Sequence, residues 1–277
     1  MFEQLVDDAA MFPPGNASAA DAVAAHLGYR GGWFAPVIGA LVVPDHRLAE
    51  VAAQVSPGVT LAVSVINSGG AGGLSSLARR EASSLRIVAV ESALRDLDDL
   101  AANAARITAA AAELDEAVEV YVELPYAPGW ERAVEVVEAG GLSGKLRTGG
   151  VEAAAYPNRV QLAEQLSVLV EADLPFKATA GLHHAWPNEA TSTTGEPLHQ
   201  HGFLSVMVAL SALIDGGSVA EAAELLRTPR ADLAEIVAGW DDVAAGRIRR
   251  RWRSFGCCGV RDPVDDLVDL GLLRTSA

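Results

Sequence analysis

A chain of 277 residues, half of them hydrophobic, is long enough to bury a substantial core as one large or two modest domains. Its formal charge of -15 and pI near 4.7 offer no basic face, so neither nucleic acid nor an anionic membrane is expected as a partner. The opening MFEQLVDDAAMFPPG sets acids and prolines where a secretory signal needs a basic start and an apolar stretch, and no apolar run reaches membrane-spanning length. A cytoplasmic protein is the expectation.

From the amino terminus onward, short apolar runs alternate with Ala-rich segments of helical period. The first strand is expected over Gln4–Asp8, with a helix over Ala19–Leu27. Ile38–Val43 and Leu48–Gln54 make the second pair. Thr60–Asn67 is the third strand, and the glycine-rich 67–73 after it fits neither a P-loop nor a dinucleotide fingerprint, so it reads as a flexible loop. Strand and helix then alternate through Arg86–Glu91 and Leu97–Leu114, Glu119–Leu124 and Trp130–Glu138, and Ser143–Thr148 and Arg159–Ala172. Pro175–Thr179 is the seventh strand. A long stretch carrying helices at Leu204–Ile214, Val219–Leu226 and Leu233–Ala244 separates it from the eighth, Trp252–Gly256. A last helix over Val264–Leu270 follows Asp262 and Pro263, which suit an N-cap and a first helical position.

Eight such units, and alternation within the strands, favour a closed α/β (βα)8 TIM barrel over an open doubly wound sheet, which would be apolar on both faces. Val120, Val122 and Leu124 are expected to face the helices while Glu119, Tyr121 and Glu123 face inward. Leu61, Val63 and Val65 are expected outward, opposite Ala62, Ser64 and Ile66. Residues 1–277 are read as a single domain, with the extra helices before the eighth strand as an embellishment. The basic run RIRRRWR reads as a solvated approach to that strand. The adjacent Cys257 and Cys258 offer no zinc-ligand spacing and read as small buried thiols in a reducing compartment.

Basic residues are almost all arginine: the only lysines are Lys145 and Lys177. Guanidinium stays charged, whereas an amine can shed its proton and act as a nucleophile, so lysines retained in matched contexts point to chemistry. The contexts do match. Lys145 lies in GLSGKLRTGG and Lys177 in LPFKATAGLHH, near the carboxyl ends of neighbouring strands, where barrel enzymes gather their catalytic groups. Adjacent inward lysines are expected to influence each other, one ammonium depressing the pKa of the other and leaving a neutral amine that can form an imine.

The run Lys145, Leu146, Arg147, Thr148, Gly149 resembles the Lys-x-x-Thr-Gly motif on strand six of Schiff-base (class I) aldolases of the deoxyribose-phosphate aldolase family. Lys177, Ala178, Thr179, Ala180 and Gly181 resemble that family's second lysine and small-residue turn on strand seven. The resemblance implies that Lys145 forms the imine and Lys177 tunes it, in a lyase that cleaves or makes a carbon–carbon bond. It covers two short motifs and the inferred barrel. Where the family places an Asp on an earlier strand, Glu91 and Glu123 are the candidate acid/base groups here. Arg147 replaces a small residue and is a candidate for holding a carboxylate or phosphate, or for a salt bridge to Glu123. His183 and His184 replace the family's second Gly and apolar turn, so an aldolase-like lyase is expected rather than that enzyme itself.

Other residues at the strand ends complete the candidate site. Asp7 and Asp8 close the first strand, and alternation favours Asp8 as the mouth carboxylate. Asn67, Thr148, Thr179, Gly256 and, in a histidine loop expected to close over the substrate, His183 and His184 are candidate substrate contacts, Gly256 because many barrels bind phosphate after the eighth strand. The expected partner is a small aldehyde or ketone, with or without a phosphate, and no cofactor is required. The composition is compatible with a homo-oligomer. An alternative is a hydrolase or isomerase using a divalent metal such as zinc on His183, His184, His199 and His201. A second alternative is a non-catalytic ligand-binding barrel.

Overall fold

The computed structural model describes residues 1–80, 84–192 and 194–275. Eight parallel strands close into a barrel: β1 (Val6–Asp8), β2 (Ile38–Pro44), β3 (Leu61–Asn67), β4 (Leu85–Ala93), β5 (Glu119–Glu123), β6 (Ser143–Arg147), β7 (Phe176–Thr179) and β10 (Trp252–Cys257), with β1 hydrogen-bonded to both β2 and β10. Between β7 and β10 lies an antiparallel pair, β8 (Asn188–Thr191) and β9 (Pro197–Gln200). The eight strands foreseen from periodicity are the eight that close the barrel. The β8–β9 hairpin was not foreseen, because its half-exposed residues lack the apolar run that marks a core strand.

The alternation has the expected sense. Tyr121 and Glu123 point into the barrel, while Val120 and Val122 pack outward into the apolar layer beneath the helices. Phe176, Trp252 and Phe255 join that outer layer, where Phe255 stacks on Phe203 of the buried helix Phe203–Ile214 with ring centroids 5.1 Å apart. Side chains cap the ring of helices. Ser18, Asp99 and Asp241 accept backbone N–H groups at the starts of Ala19–Arg30, Leu100–Ala111 and Asp242–Arg251, and Asn158 with Gln161 forms a capping box on Arg159–Glu171.

Three local expectations are corrected. The single helix expected over Leu233–Ala244 is two, Arg230–Ala238 and Asp242–Arg251, because Gly239 ends the first and Asp241 caps the second. That second helix carries most of the RIRRRWR run. The glycine-rich segment after β3 is not simply a loop: the helix Gly70–Ala78 begins within it. The last helix is Arg261–Asp269, so Asp262 and Pro263 fall inside its first turn and the N-cap is Val260.

Candidate active site

Lys145 and Lys177 are partners in the β6/β7 register, so both ammonium groups enter the barrel at one level. They meet there on a single carboxylate. Lys145 Nζ lies 2.8 Å from Glu91 Oε2, and Lys177 Nζ donates to Glu91 Oε1 at 2.8 Å. Each lysine also has a carboxylate of its own: Glu123 Oε2 is 3.1 Å from Lys145 Nζ, and Asp7 Oδ2 is 2.6 Å from Lys177 Nζ. Arg147 Nε donates to the other Glu123 oxygen at 3.0 Å. Cations and anions therefore alternate in the order Asp7, Lys177, Glu91, Lys145, Glu123, Arg147.

Hydroxyls and backbone fix the carboxylates of this chain. Ser64 Oγ donates to Glu91 Oε1 at 2.7 Å, Ser254 Oγ to Asp7 Oδ2 at 2.6 Å, and the Ala40 amide to Asp7 Oδ1 at 3.0 Å. A Cβ at position 39 would run into Asp7 Oδ1, so Gly39 is what lets β2 pass this close to the carboxylate. Below Lys177 lies the Tyr121 ring, its centroid 5.3 Å from Nζ.

Burial and charge oppose each other throughout the network, and charge wins at each carboxylate that shifts. Burial would raise the Glu91 pKa, but Lys145 and then Lys177 hold it far below the usual carboxylate range. For Glu123, too, burial acts upward and is outweighed by Lys145 and Arg147. Burial disfavours the Lys177 cation, yet Asp7 and Glu91 hold its pKa above the ordinary lysine value. The expectation that one lysine depresses the other is therefore reversed at Lys177, since the carboxylates beside it outweigh the neighbouring ammonium. Burial and then Glu119 keep the Tyr121 hydroxyl protonated.

Exposure is graded along the network. Side-chain exposure rises from 1% at Lys177 through 5% at Lys145 and 17% at Glu123 to 49% at Arg147. The Lys145 end thus faces the mouth at the carboxyl ends of the strands. At the opposite end of the barrel a cavity of about 690 Å³, bordered by Glu3, Arg249, Tyr121, Ser64 and Ser254, reaches in as far as Asp7.

Among the other expected site residues, Asp8 is corrected. It points away from the barrel, and its Oδ2 lies 3.1 Å from Nδ1 of the buried His26 on the first helix. Asp7 takes the inward position; alternation along a strand expected over Gln4–Asp8 favoured Asp8, but β1 is only Val6–Asp8 and all three of its residues are buried, so burial does not tell the two faces apart. Thr148 Oγ1 donates to the Ala180 carbonyl at 2.6 Å, clasping the turns after β6 and β7, where Thr179 ends its strand. Asn67 Nδ2 donates to Gly70 O and Ser92 Oγ, both at 2.7 Å, and so shapes the turn after β3. Gly256 pairs with Thr179 at the mouth, with no side chain of its own there.

The four histidines do not converge. His183 Nδ1 is 3.8 Å from Cys257 Sγ, His184 Nδ1 is 3.1 Å from Asp266, His199 sits with Glu189 on the exposed face of the hairpin, and His201 Nε2 is 2.8 Å from the Pro157 carbonyl. Among the described residues no group of three or more His, Cys, Asp and Glu side chains is placed to hold a metal ion. Cys257 and Cys258 are both free, and burial raises both thiol pKa values. No helix among the described residues is long and apolar enough to cross a membrane.

No family model and no curated protein matches this chain. Solved structures similar to it include Rhizobium etli pyruvate carboxylase with the allosteric activator acetyl coenzyme A, at 12% identity and a TM-score of 0.47, covering 91% of this chain and 24% of that one. A second is the carboxyl transferase domain of the same enzyme with pyruvate and biocytin, at 13% identity and a TM-score of 0.43, covering 90% of this chain and 46% of that one. The chain thus spans less than half the length of either.

Proposed function

We propose that this barrel is a Schiff-base enzyme of aldolase type, in which Lys145 forms the imine with a small aldehyde or ketone. The observation that supports this reading is the pairing of Lys145 and Lys177 on the one Glu91 carboxylate, with Lys177 held as a cation and Lys145 beside Glu123, the more exposed carboxylate. Such a pairing gives the two lysines different roles. Lys177 is the fixed charge, and Lys145 has Glu123, the more exposed carboxylate, 3.1 Å away to receive its proton.

The steps follow from these positions. Lys145 Nζ passes a proton to Glu123 and adds to the carbonyl carbon, and a proton moves from nitrogen to the new alkoxide. Glu123 returns its proton to that hydroxyl, which departs as water and leaves a protonated imine. The iminium then accepts the electron pair of the neighbouring carbon–carbon bond, while Glu123, unprotonated again, takes the proton of the β-hydroxyl and an aldehyde leaves. Protonation of the enamine carbon and hydrolysis of the imine restore Lys145. Glu91, clamped between two ammonium groups and Ser64, stays ionised and holds both lysines in register.

Borohydride trapping tests this reading. The protein is incubated with a panel of small aldehydes and ketones, reduced, and mapped by mass spectrometry; with two lysines in the sequence the assignment is direct. The expected adduct is on Lys145 and requires reduction. An adduct on Lys177 instead would reverse the roles, and none across the panel in folded protein would remove the imine reading.

A further inference from the structure

We propose that the cavity at the amino end of the barrel is a binding site for a small monocarboxylic acid, whose carboxylate is held by Arg249 and whose uncharged body fills the space beside Ala245 and Gly246. The site is entered from the amino ends of the strands, opposite to Glu123 and Arg147, and needs no imine at Lys145.

Small residues on two elements make the cavity. Asp242, Ala245, Gly246 and Arg249 all border it, and their i, i+3, i+4, i+7 spacing sets them on one face of the helix Asp242–Arg251. A helix packed on a barrel carries large apolar side chains on such a face, whereas this one carries two small residues between two charges. Gly246 weakens the helix interior and is not demanded by packing, since the nearest atom a Cβ there would meet beyond the helix backbone is Arg250 Nη1, at 3.8 Å. On the barrel side Gly39, Ser64, Ala89 and Ser254 border the same space, where barrels usually fill their interior with bulky branched side chains.

Arg249 is held in place by neutral groups. Its Nη1 donates to the Trp252 carbonyl at 2.7 Å and its Nη2 to the Glu3 carbonyl at 3.0 Å, which fixes the guanidinium and leaves it further N–H donors. Among the described residues no carboxylate pairs with it, whereas Arg247, Arg251 and Arg253 of the same basic run meet Asp215, Asp173 and Glu119. Burial, and then the neighbouring Arg253, lower its pKa to about 10. An anion beside Arg249 would offset both effects. The carboxylates that border the cavity are placed elsewhere: Asp7 is held by Lys177 and Ser254, Glu119 accepts the Ser143 hydroxyl at 2.9 Å, and Glu3 and Asp242 are exposed to water. Together they repel a second negative charge, which favours one carboxylate over a phosphate dianion or a dicarboxylate. Guanidinium and carboxylate match as planar forks, and a cavity of about 690 Å³ has room for a short carbon chain beyond them.

Hexanoate is the probe and hexanamide its uncharged match, each titrated calorimetrically into the full chain, with adipate and inorganic phosphate as the doubly charged comparisons. Hexanoate is expected to bind saturably at one site, more tightly than any of the other three by at least about tenfold, the scale of a charge-assisted hydrogen bond. Arg249→Gln should remove the preference over hexanamide. Gly246→Leu puts a side chain into the cavity while leaving the guanidinium in place, and leucine suits a helix better than glycine. It should abolish hexanoate binding in folded protein, and it decides the matter if Arg249→Gln does not fold. No hexanoate binding, equal or tighter binding of hexanamide, adipate or phosphate, or undiminished hexanoate binding in folded Gly246→Leu would each overturn the proposal.

Discussion

Lys145 and Lys177 share the carboxylate of Glu91, one oxygen each at 2.8 Å, from adjacent positions on neighbouring strands. One anion between two cations leaves the group short of negative charge, and Asp7 and Glu123 supply it from either side. The two lysines are thereby made unequal: Lys177 is closed in by Tyr121 and by Asp7, which Ser254 braces, whereas Lys145 lies beside the more exposed Glu123.

Replacing Lys145 by Arg keeps a cation between Glu91 and Glu123 but removes the amine proposed to form the imine. The variant should fold, form no borohydride adduct at position 145, and lose turnover by roughly 10³-fold or more, as expected for loss of a covalent nucleophile. Undiminished turnover in this variant would move the covalent role away from Lys145.

Lys177→Met leaves Asp7 and Glu91 buried without the ammonium between them. Removing one partner of a buried pair costs about 3–5 kcal/mol, read from urea denaturation. Lys177→Met combined with Glu91→Gln should cost less than the sum of the two single changes, because the second relieves a charge left unpaired by the first. Additive losses would mean that the two side chains do not depend on each other for stability.

The network predicts a stability profile that is flat across neutral pH and falls on the acid side. Glu91 and Glu123 have pKa values held below the ordinary 4.5, so their contribution is present above that value and is lost as pH falls toward the folded pKa, where the unfolded chain binds protons first. Lys177 has the opposite sign. Its pKa is held above the ordinary 10.5, so its contribution is complete below that value and is lost only as pH rises through the higher folded pKa. Denaturant midpoints measured for the wild type and for Glu91→Gln should converge as pH falls below about 4.5. A constant gap from neutral to strongly acidic pH would contradict the depressed pKa.

Asp7 and Asp8 are adjacent in sequence and opposite in role. Asp8→Asn should weaken the buried contact to His26 and cost about 1.5–3 kcal/mol, the range for a hydrogen bond to a charged group, while the folded variant still forms the Lys145 adduct. Asp7→Asn should alter the pH profile of adduct formation, because it removes a charge that holds Lys177 as a cation. If Asp8→Asn shifted that profile and Asp7→Asn left it unchanged, the inward and outward assignments would be wrong.

The sequence by itself determined the barrel, the placement of its eight strands, and the lysines as neighbours near the strand ends. It did so because apolar period and cap residues act locally, and because a closed parallel barrel makes strands six and seven adjacent. Glu91, Glu123 and Arg147 were legible for the same reason, as polar groups at inward positions near strand ends. Only the tertiary structure decided that Asp7 rather than Asp8 enters the barrel, that Ser64 and Ser254 brace the carboxylates, and that four histidines close in sequence turn to four different partners. The contact between Asp7 and Lys177 joins residues 170 positions apart. Whether such groups meet depends on the stagger between strands as the sheet closes, and the short β1 and the bulge in β10 between Trp252 and Phe255 set that stagger beyond the reach of any local pattern.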